Sequence, residues 1–292
     1  MLKLQGHQGT VRGLAFSPDG RRIASVAGRG RRASLWDLAT GGREQSPGAP
    51  DGVQALAFSP DGGSVVLASG RYLSRWHPAE NAIERWLRGA IYCRQVAFAP
   101  DGSLVAAACF EKHGAADRFR VDLFPLGEPN ASKAFLVGDY GAPCCLAFSP
   151  DGRLLAAGGE GKKLRVWSVK ERAKAASRDC GWAVTAVAFS PGGELLAAAV
   201  GETVVLFEAS GMKPAGELSG HTGVVLALSF APGGTLLSAG WDGTTRLWDT
   251  AGRRERACYD WKVGAVGAAA FSPDGTLAAV GGQDGIVVWD VN

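Results

Sequence analysis

The chain has 292 residues, 46% of them hydrophobic and 20% charged, with 42 glycines and a formal net charge of +3. That length supports a large buried core, and the near-neutral charge argues against a polyanion binder. The opening MLKLQGHQGT breaks into Gly and His at once, and no run of about eighteen apolar residues offers a membrane span, so a cytoplasmic protein is expected.

In chain order, one short element recurs. It reads AFSPDG at 15–20 and 57–62, AFAPDG at 97–102, AFSPDG at 147–152, AFSPGG at 188–193, SFAPGG at 229–234 and AFSPDG at 270–275. Its phenylalanines, Phe16, Phe58, Phe98, Phe148, Phe189, Phe230 and Phe271, stand 42, 40, 50, 41, 41 and 41 residues apart, so one unit is repeated seven times with one insertion.

Within a unit, apolar runs too short for helices alternate with Gly-, Pro- and Asp-rich turns and read as successive antiparallel strands. In SPDG, Pro presets φ, Asp bonds nearby backbone and Gly takes the left-handed conformation that lets the second strand return. A Gly or Asp-Gly break leads to a third strand closed by a large ring in Trp36-Asp37, Trp76-His77, Phe124-Pro125, Trp167-Ser168, Phe207-Glu208, Trp248-Asp249 and Trp289-Asp290. A polar fourth strand such as Arg253–Cys258 suits a solvated outer edge.

The period, the GH pairs Gly6-His7 and Gly220-His221, and the closing WD resemble the WD-repeat β-propeller family over essentially the whole chain. The abundance of Ala, Gly and Arg around FSPDG is closest in style to members from GC-rich bacteria. The resemblance implies an all-β, single closed seven-bladed β-propeller of four-stranded antiparallel blades spanning residues 1–292. The last repeat stops after its third strand while the chain begins with LKLQGH, so Leu2–Leu4 is expected as the outermost strand of the blade built from residues 264–291.

His221, Ser238 and Asp242 are the components of a nucleophilic triad, but no G-x-S-x-G elbow accompanies them. In the resembled family these positions, with Trp248, form a buried structural hydrogen-bond network, and that reading is preferred. Blade one has His7, Ser25 and Trp36 but GRGRR where the Asp would be, Asp284 of the last blade is displaced by one position, and blades two to five lack the GH histidine. No catalytic residue, metal site or cofactor is expected. The four histidines, His7, His77, His113 and His221, have no metal-ligand spacing, and the glycine clusters lack a phosphate-loop ending. Asn130-Ala131-Ser132 fits a glycosylation sequon but reads as a plain loop. Cys93, Cys109, Cys144, Cys145, Cys180 and Cys258 form no CxxC pair and are expected as free thiols.

The expected function is a protein- or peptide-binding scaffold or adaptor, free-standing or excised from a larger protein. The alternatives are a propeller-type hydrolase, for which no cluster of carboxylates or histidines is evident, and a regulatory or sensor module of a bacterial signalling protein. A nucleic-acid surface through Arg21, Arg22, Arg29, Arg31 and Arg32 is disfavoured because these fall at opposite ends of one blade. The loops leading into each blade and those between second and third strands should share one end of the ring. That end collects Tyr92, Tyr140, Trp182, Trp241 and Trp261 beside Arg12, Arg71 and Arg94. The position four before each repeat phenylalanine is Arg12, Gln54, Arg94, Cys144, Thr185, Leu226 and Gly267, which concentrates charge in one sector of the channel mouth. A partner with acidic and apolar portions is expected, with no nucleic acid, no membrane and a monomeric chain. The insertion falls in Phe110–Arg120, read as a polar connection overhanging the same end.

Overall fold

The computed structural model describes residues 1–28, 30–49, 51–113, 116–127, 133–135 and 141–291. β1 (Leu2–Leu4) is followed by a sheet of β2 (Val11–Phe16), β3 (Arg22–Ala27), β4 (Ser34–Asp37) and β5 (Arg43–Gln45). The next sheet holds β6 (Ala55–Phe58), β7 (Val65–His77), β8 (Ala82–Phe98), β9 (Leu104–His113), β10 (Ala116–Pro125) and β11 (Lys133–Phe135). Then come β12 (Pro143–Phe148), β13 (Leu154–Gly159), β14 (Lys163–Ser168) and β15 (Ala173–Asp179). A sheet of β16 (Val184–Phe189), β17 (Leu195–Val200), β18 (Thr203–Glu208) and β19 (Pro214–Leu218) follows. Another holds β20 (Val225–Phe230), β21 (Thr235–Gly240), β22 (Thr244–Asp249) and β23 (Arg254–Asp260). The last sheet is β24 (Ala268–Phe271), β25 (Leu277–Gly282) and β26 (Gly285–Asp290) with β1 added to its outer edge.

Seven separate four-stranded blades are therefore not what the chain forms. It is an all-β, six-bladed propeller whose second sheet takes in two repeats. The second repeat has Ser69-Gly70-Arg71 where others have a Gly or Asp-Gly turn, and β7 runs on through Gly70 at φ 52. β8 likewise continues from Ala82 to Phe98 with no lead-in loop, pairing first with β7 and then with β9. The insertion is also corrected: it lengthens β9 and β10 into one ladder in which Phe110 pairs with Phe119, rather than forming a polar connection.

Each second strand lies between neighbouring sheets, so both its faces are covered. This is why β13, β17 and β25 read LLAAGG, LLAAAV and LAAVGG, continuous apolar runs of small residues. Outer strands such as β15 and β23 are exposed and charged. All but one of the core clusters join adjacent sheets, the exception lying within the six-stranded sheet around Leu73, Cys93 and Phe124; one joins Leu4, Val11, Phe16, Ile23 and Trp36 to Ala279, Ile286 and Val288. Closure uses the expected N-terminal strand, with Leu2, Lys3 and Leu4 opposite Val288, Val287 and Ile286.

Candidate functional site

Five inner strands share one irregularity. At the start of β2, β12, β16 and β20, and inside β8 after Cys93, the ladder skips a residue, and the skipped positions are Arg12, Arg94, Cys144, Thr185 and Leu226. A bulge bends its strand and re-aims the unpaired side chain. In these five repeats the position four before the phenylalanine is therefore the place where the ladder releases a side chain. Arg12, Gln54, Arg94 and Cys144 come together in a cavity of about 750 Å³, also lined by Asp51, Gly70, Tyr92, Cys93, Gln95 and Phe110.

A column of alternating charge and ring stands at this mouth. The Arg71 guanidinium lies 5.2 Å from the Tyr92 ring centroid, and its Nε donates to the Tyr92 hydroxyl at 2.9 Å. Tyr92 stacks on Phe110 at 4.9 Å and 15°, and the Arg94 guanidinium sits 5.0 Å from the Phe110 centroid. The Tyr92 bond holds Arg71 above its ordinary pKa, so it keeps its charge. Arg94 meets Glu160 at 3.4 Å across an exposed pair, and Asp51 accepts from the Arg71 backbone N–H at 3.3 Å. Burial, then Glu160, push the Cys144 thiol up.

The other expected contact residues divide. Trp182 and Trp241 are open to solvent, 70% and 62% exposed. Trp261 is instead half-buried: its ring stacks on Tyr259 at 5.0 Å, lies 4.7 Å from Trp289 and joins the core between the last two sheets. Tyr140, Arg29 and Asn130-Ala131-Ser132 lie outside the described residues. Phe110, Asp51 and Glu160 were missed. The register that sets Phe110 opposite Phe119 exists because β9 and β10 continue through the segment read as a polar connection.

His221, Ser238, Asp242 and Trp248 are joined in one chain of bonds. Trp248 Nε1 donates to Ser238 Oγ at 2.7 Å, Ser238 Oγ meets His221 Nε2 at 2.7 Å, and His221 Nδ1 meets Asp242 Oδ2 at 2.8 Å. Desolvation opposes the Asp242 charge, but the N–H groups of Thr244 and Thr222 and the His221 bond hold its pKa below the usual range. Burial lowers the His221 pKa against the pull of Asp242. The distances match those of a hydrolytic triad, yet Ser238 is 0% exposed and its oxygen already takes the indole N–H, so the arrangement ties strands together. The first blade forms the shorter set, His7 Nε2 to Ser25 Oγ at 2.7 Å and Trp36 Nε1 to Ser25 Oγ at 2.7 Å, without a carboxylate on His7 among the described residues.

A ring of antiparallel sheets with these ties defines a β-propeller. The chain belongs to the WD40 family: residues 1–37, 132–168, 212–249 and 258–290 match the WD domain, G-beta repeat. It is also 29% identical over 167 residues, 54% of its length, to telomerase protein component 1 of Rattus norvegicus, of which this match covers 6%. Among the described residues no helix is long and apolar enough to cross a membrane, and no cluster of three metal-ligating side chains occurs.

Proposed function

We propose that this chain is a non-catalytic protein- or peptide-binding scaffold. It acts as one module over residues 1–292, as a cytoplasmic monomer engaging neither nucleic acid nor membrane. In this reading Arg12, Arg71, Tyr92 and Arg94, with Trp182 and Trp241, take a segment that has acidic and apolar portions.

The observation that carries the reading is the Arg71–Tyr92–Phe110–Arg94 column opening on the cavity that also holds Arg12. Guanidinium groups already laid on aromatic faces lose little further freedom when they grip a carboxylate in fork geometry. The exposed Arg94–Glu160 pair is worth about 0–1 kcal/mol, so a partner's carboxylate displaces Glu160 at small cost. Aromatic rings and Arg are the side chains that most often dominate interface energy, and the exposed Trp182 and Trp241 supply further apolar anchors.

Panning a displayed peptide library against the pure chain tests this. Peptides with Asp or Glu beside large apolar residues should be enriched, and Arg12→Glu or Arg94→Glu should weaken them at least tenfold. Trp182→Ala and Trp241→Ala should weaken binding with the melt held within a few degrees, whereas Trp261→Ala should lower the melt. Binding that survives the Arg12 and Arg94 changes but is lost on Arg21→Glu and Arg22→Glu would assign the opposite end of the ring. Turnover of a hydrolase substrate abolished by Ser238→Ala, with the melt intact, would support the enzyme reading instead.

A further inference from the structure

We propose that Cys93 and Cys109 are a peroxide-oxidisable pair, closing a disulfide that pins β8 to β9 beneath the channel-mouth cavity. The two residues are direct partners in the antiparallel ladder, one position from the Tyr92–Phe110 pair. Their sulfurs are 3.0 Å apart and both residues are only 1% exposed. Facing Cys side chains at this separation join with small side-chain rotation and no displacement of the strands. The other thiols nearby are committed elsewhere: Cys144 Sγ donates to the Ala142 carbonyl at 3.3 Å and Cys145 Sγ to the Val184 carbonyl at 3.4 Å.

The cavity decides the order of events and the class of oxidant. Cys93 borders it and Cys109 does not, so Cys93 is the sulfur that a small molecule reaches. Near-complete burial excludes bulky disulfides and favours hydrogen peroxide. The Cys93 thiolate attacks one peroxide oxygen, the O–O bond breaks, and the departing hydroxide takes the thiol proton as water, leaving a sulfenic acid. Cys109 then attacks that sulfur, forming the S–S bond and expelling hydroxide, which leaves as a second water with the Cys109 proton. Two thiols lose two electrons and two protons, and one peroxide becomes two waters. The bond from Cys93, then burial, hold the Cys109 thiol well above its ordinary pKa, so closure should quicken as pH rises.

The sequence makes the product easy to read, because trypsin cleavage after Arg88, Arg94 and Lys112 isolates Cys93 in residues 89–94 and Cys109 in residues 95–112. The folded full chain is exposed to hydrogen peroxide, alkylated in denaturant, digested and weighed. The expected product is these two peptides joined, lighter by two hydrogens than their sum, and restored by dithiothreitol. The link should persist in Cys144→Ser and vanish in Cys93→Ala and in Cys109→Ala, each checked for native circular dichroism. Sulfinic or sulfonic acid on an unlinked Cys93, a Cys93–Cys144 link, or two thiols still fully alkylated after prolonged exposure would overturn the proposal. The readout is covalent, so it stands or fails independently of peptide binding.

Discussion

The closing tryptophans differ in what their indole N–H meets. Trp36 and Trp248 each donate to a buried serine at 2.7 Å, while the indole N–H groups of Trp76, Trp167 and Trp289 are buried without a partner among the described residues. Ser238 pairs with Arg246, two residues before Trp248, and the same place in β13 is Ala157, which pairs with Arg165, two before Trp167. Ala157→Ser should therefore give Trp167 an acceptor and stabilise the fold by about 1 kcal/mol. A melt raised by roughly 2 °C is expected, and an unchanged or lowered melt would show that the site does not admit the hydroxyl. The histidines above the two serines set a pH response. Burial first, then Arg43, lower the His7 pKa from 6.5 to about 4, so the folded chain keeps His7 neutral where the unfolded chain protonates it. Stability is thus fully present above about pH 6.5 and is lost as pH falls toward 4. After allowance for solvent around a partly exposed ring, the loss is about 1–2 kcal/mol. Urea titrations across this window should show that slope reduced in His7→Gln, with His221, shifted in the same direction, leaving a remainder. An equal slope in the variant would reject the assignment.

At the scale of elements, the SPDG turns bond as their chemistry demands: in the first, Gly20 N–H meets the Ser17 carbonyl at 2.9 Å and Asp19 accepts from Ser17 Oγ and the Arg21 N–H. Most of their glycines also face the proline of the preceding turn. A Cβ on Gly275 would lie 2.9 Å from Pro232 Cδ, the proline of the preceding turn, whereas one on Gly234 would meet nothing within 4 Å. Both glycines have positive φ, 75° and 81°, so Ala at either carries the same backbone strain of about 1–2 kcal/mol. Gly275→Ala should cost more than Gly234→Ala by about 1 kcal/mol, because the proline ring must yield. Equal melts would mean that adjacent turns do not press on one another. These turns and the closing rings were legible because each is imposed afresh in every repeat. The six-stranded sheet was not, since Ser69-Gly70-Arg71 reads as one more turn until β7 is seen to pass through it. The cavity rings were hidden for a related reason: Phe110 belongs to the insertion, and its meeting with Tyr92 depends on a register that only the continuous β8 fixes.

Across the whole molecule, the two ends of the channel differ in chemistry. Arg12, Gln54 and Arg94 line a cavity at one end, while Phe16, Phe189, Phe230 and Phe271 with Pro191, Pro232 and Pro273 line a cavity of about 570 Å³ toward the other. Both depend on the ring staying closed, and the described strands close it between the ends of the chain. β1 covers the outer edge of β26 through three residue pairs, and Leu4, 3% exposed, fills a core shared with Ile286 and Val288 of the last sheet and Val11, Ile23 and Trp36 of the first. Removing residues 1–5 deletes two leucines from that core and strips the hydrogen bonds from one side of β26. Burial of the leucines alone is worth about 3–5 kcal/mol, which for a chain of this size corresponds to roughly 5–10 °C in the melt. The bared edge of β26 is also a template for pairing with another copy. The truncated chain should therefore melt lower and sediment partly as dimers or larger species, and added peptide LKL-containing N-terminal segment should restore both properties. A truncated chain that melts like the full one and stays monomeric would show that the last sheet holds the ring shut without β1.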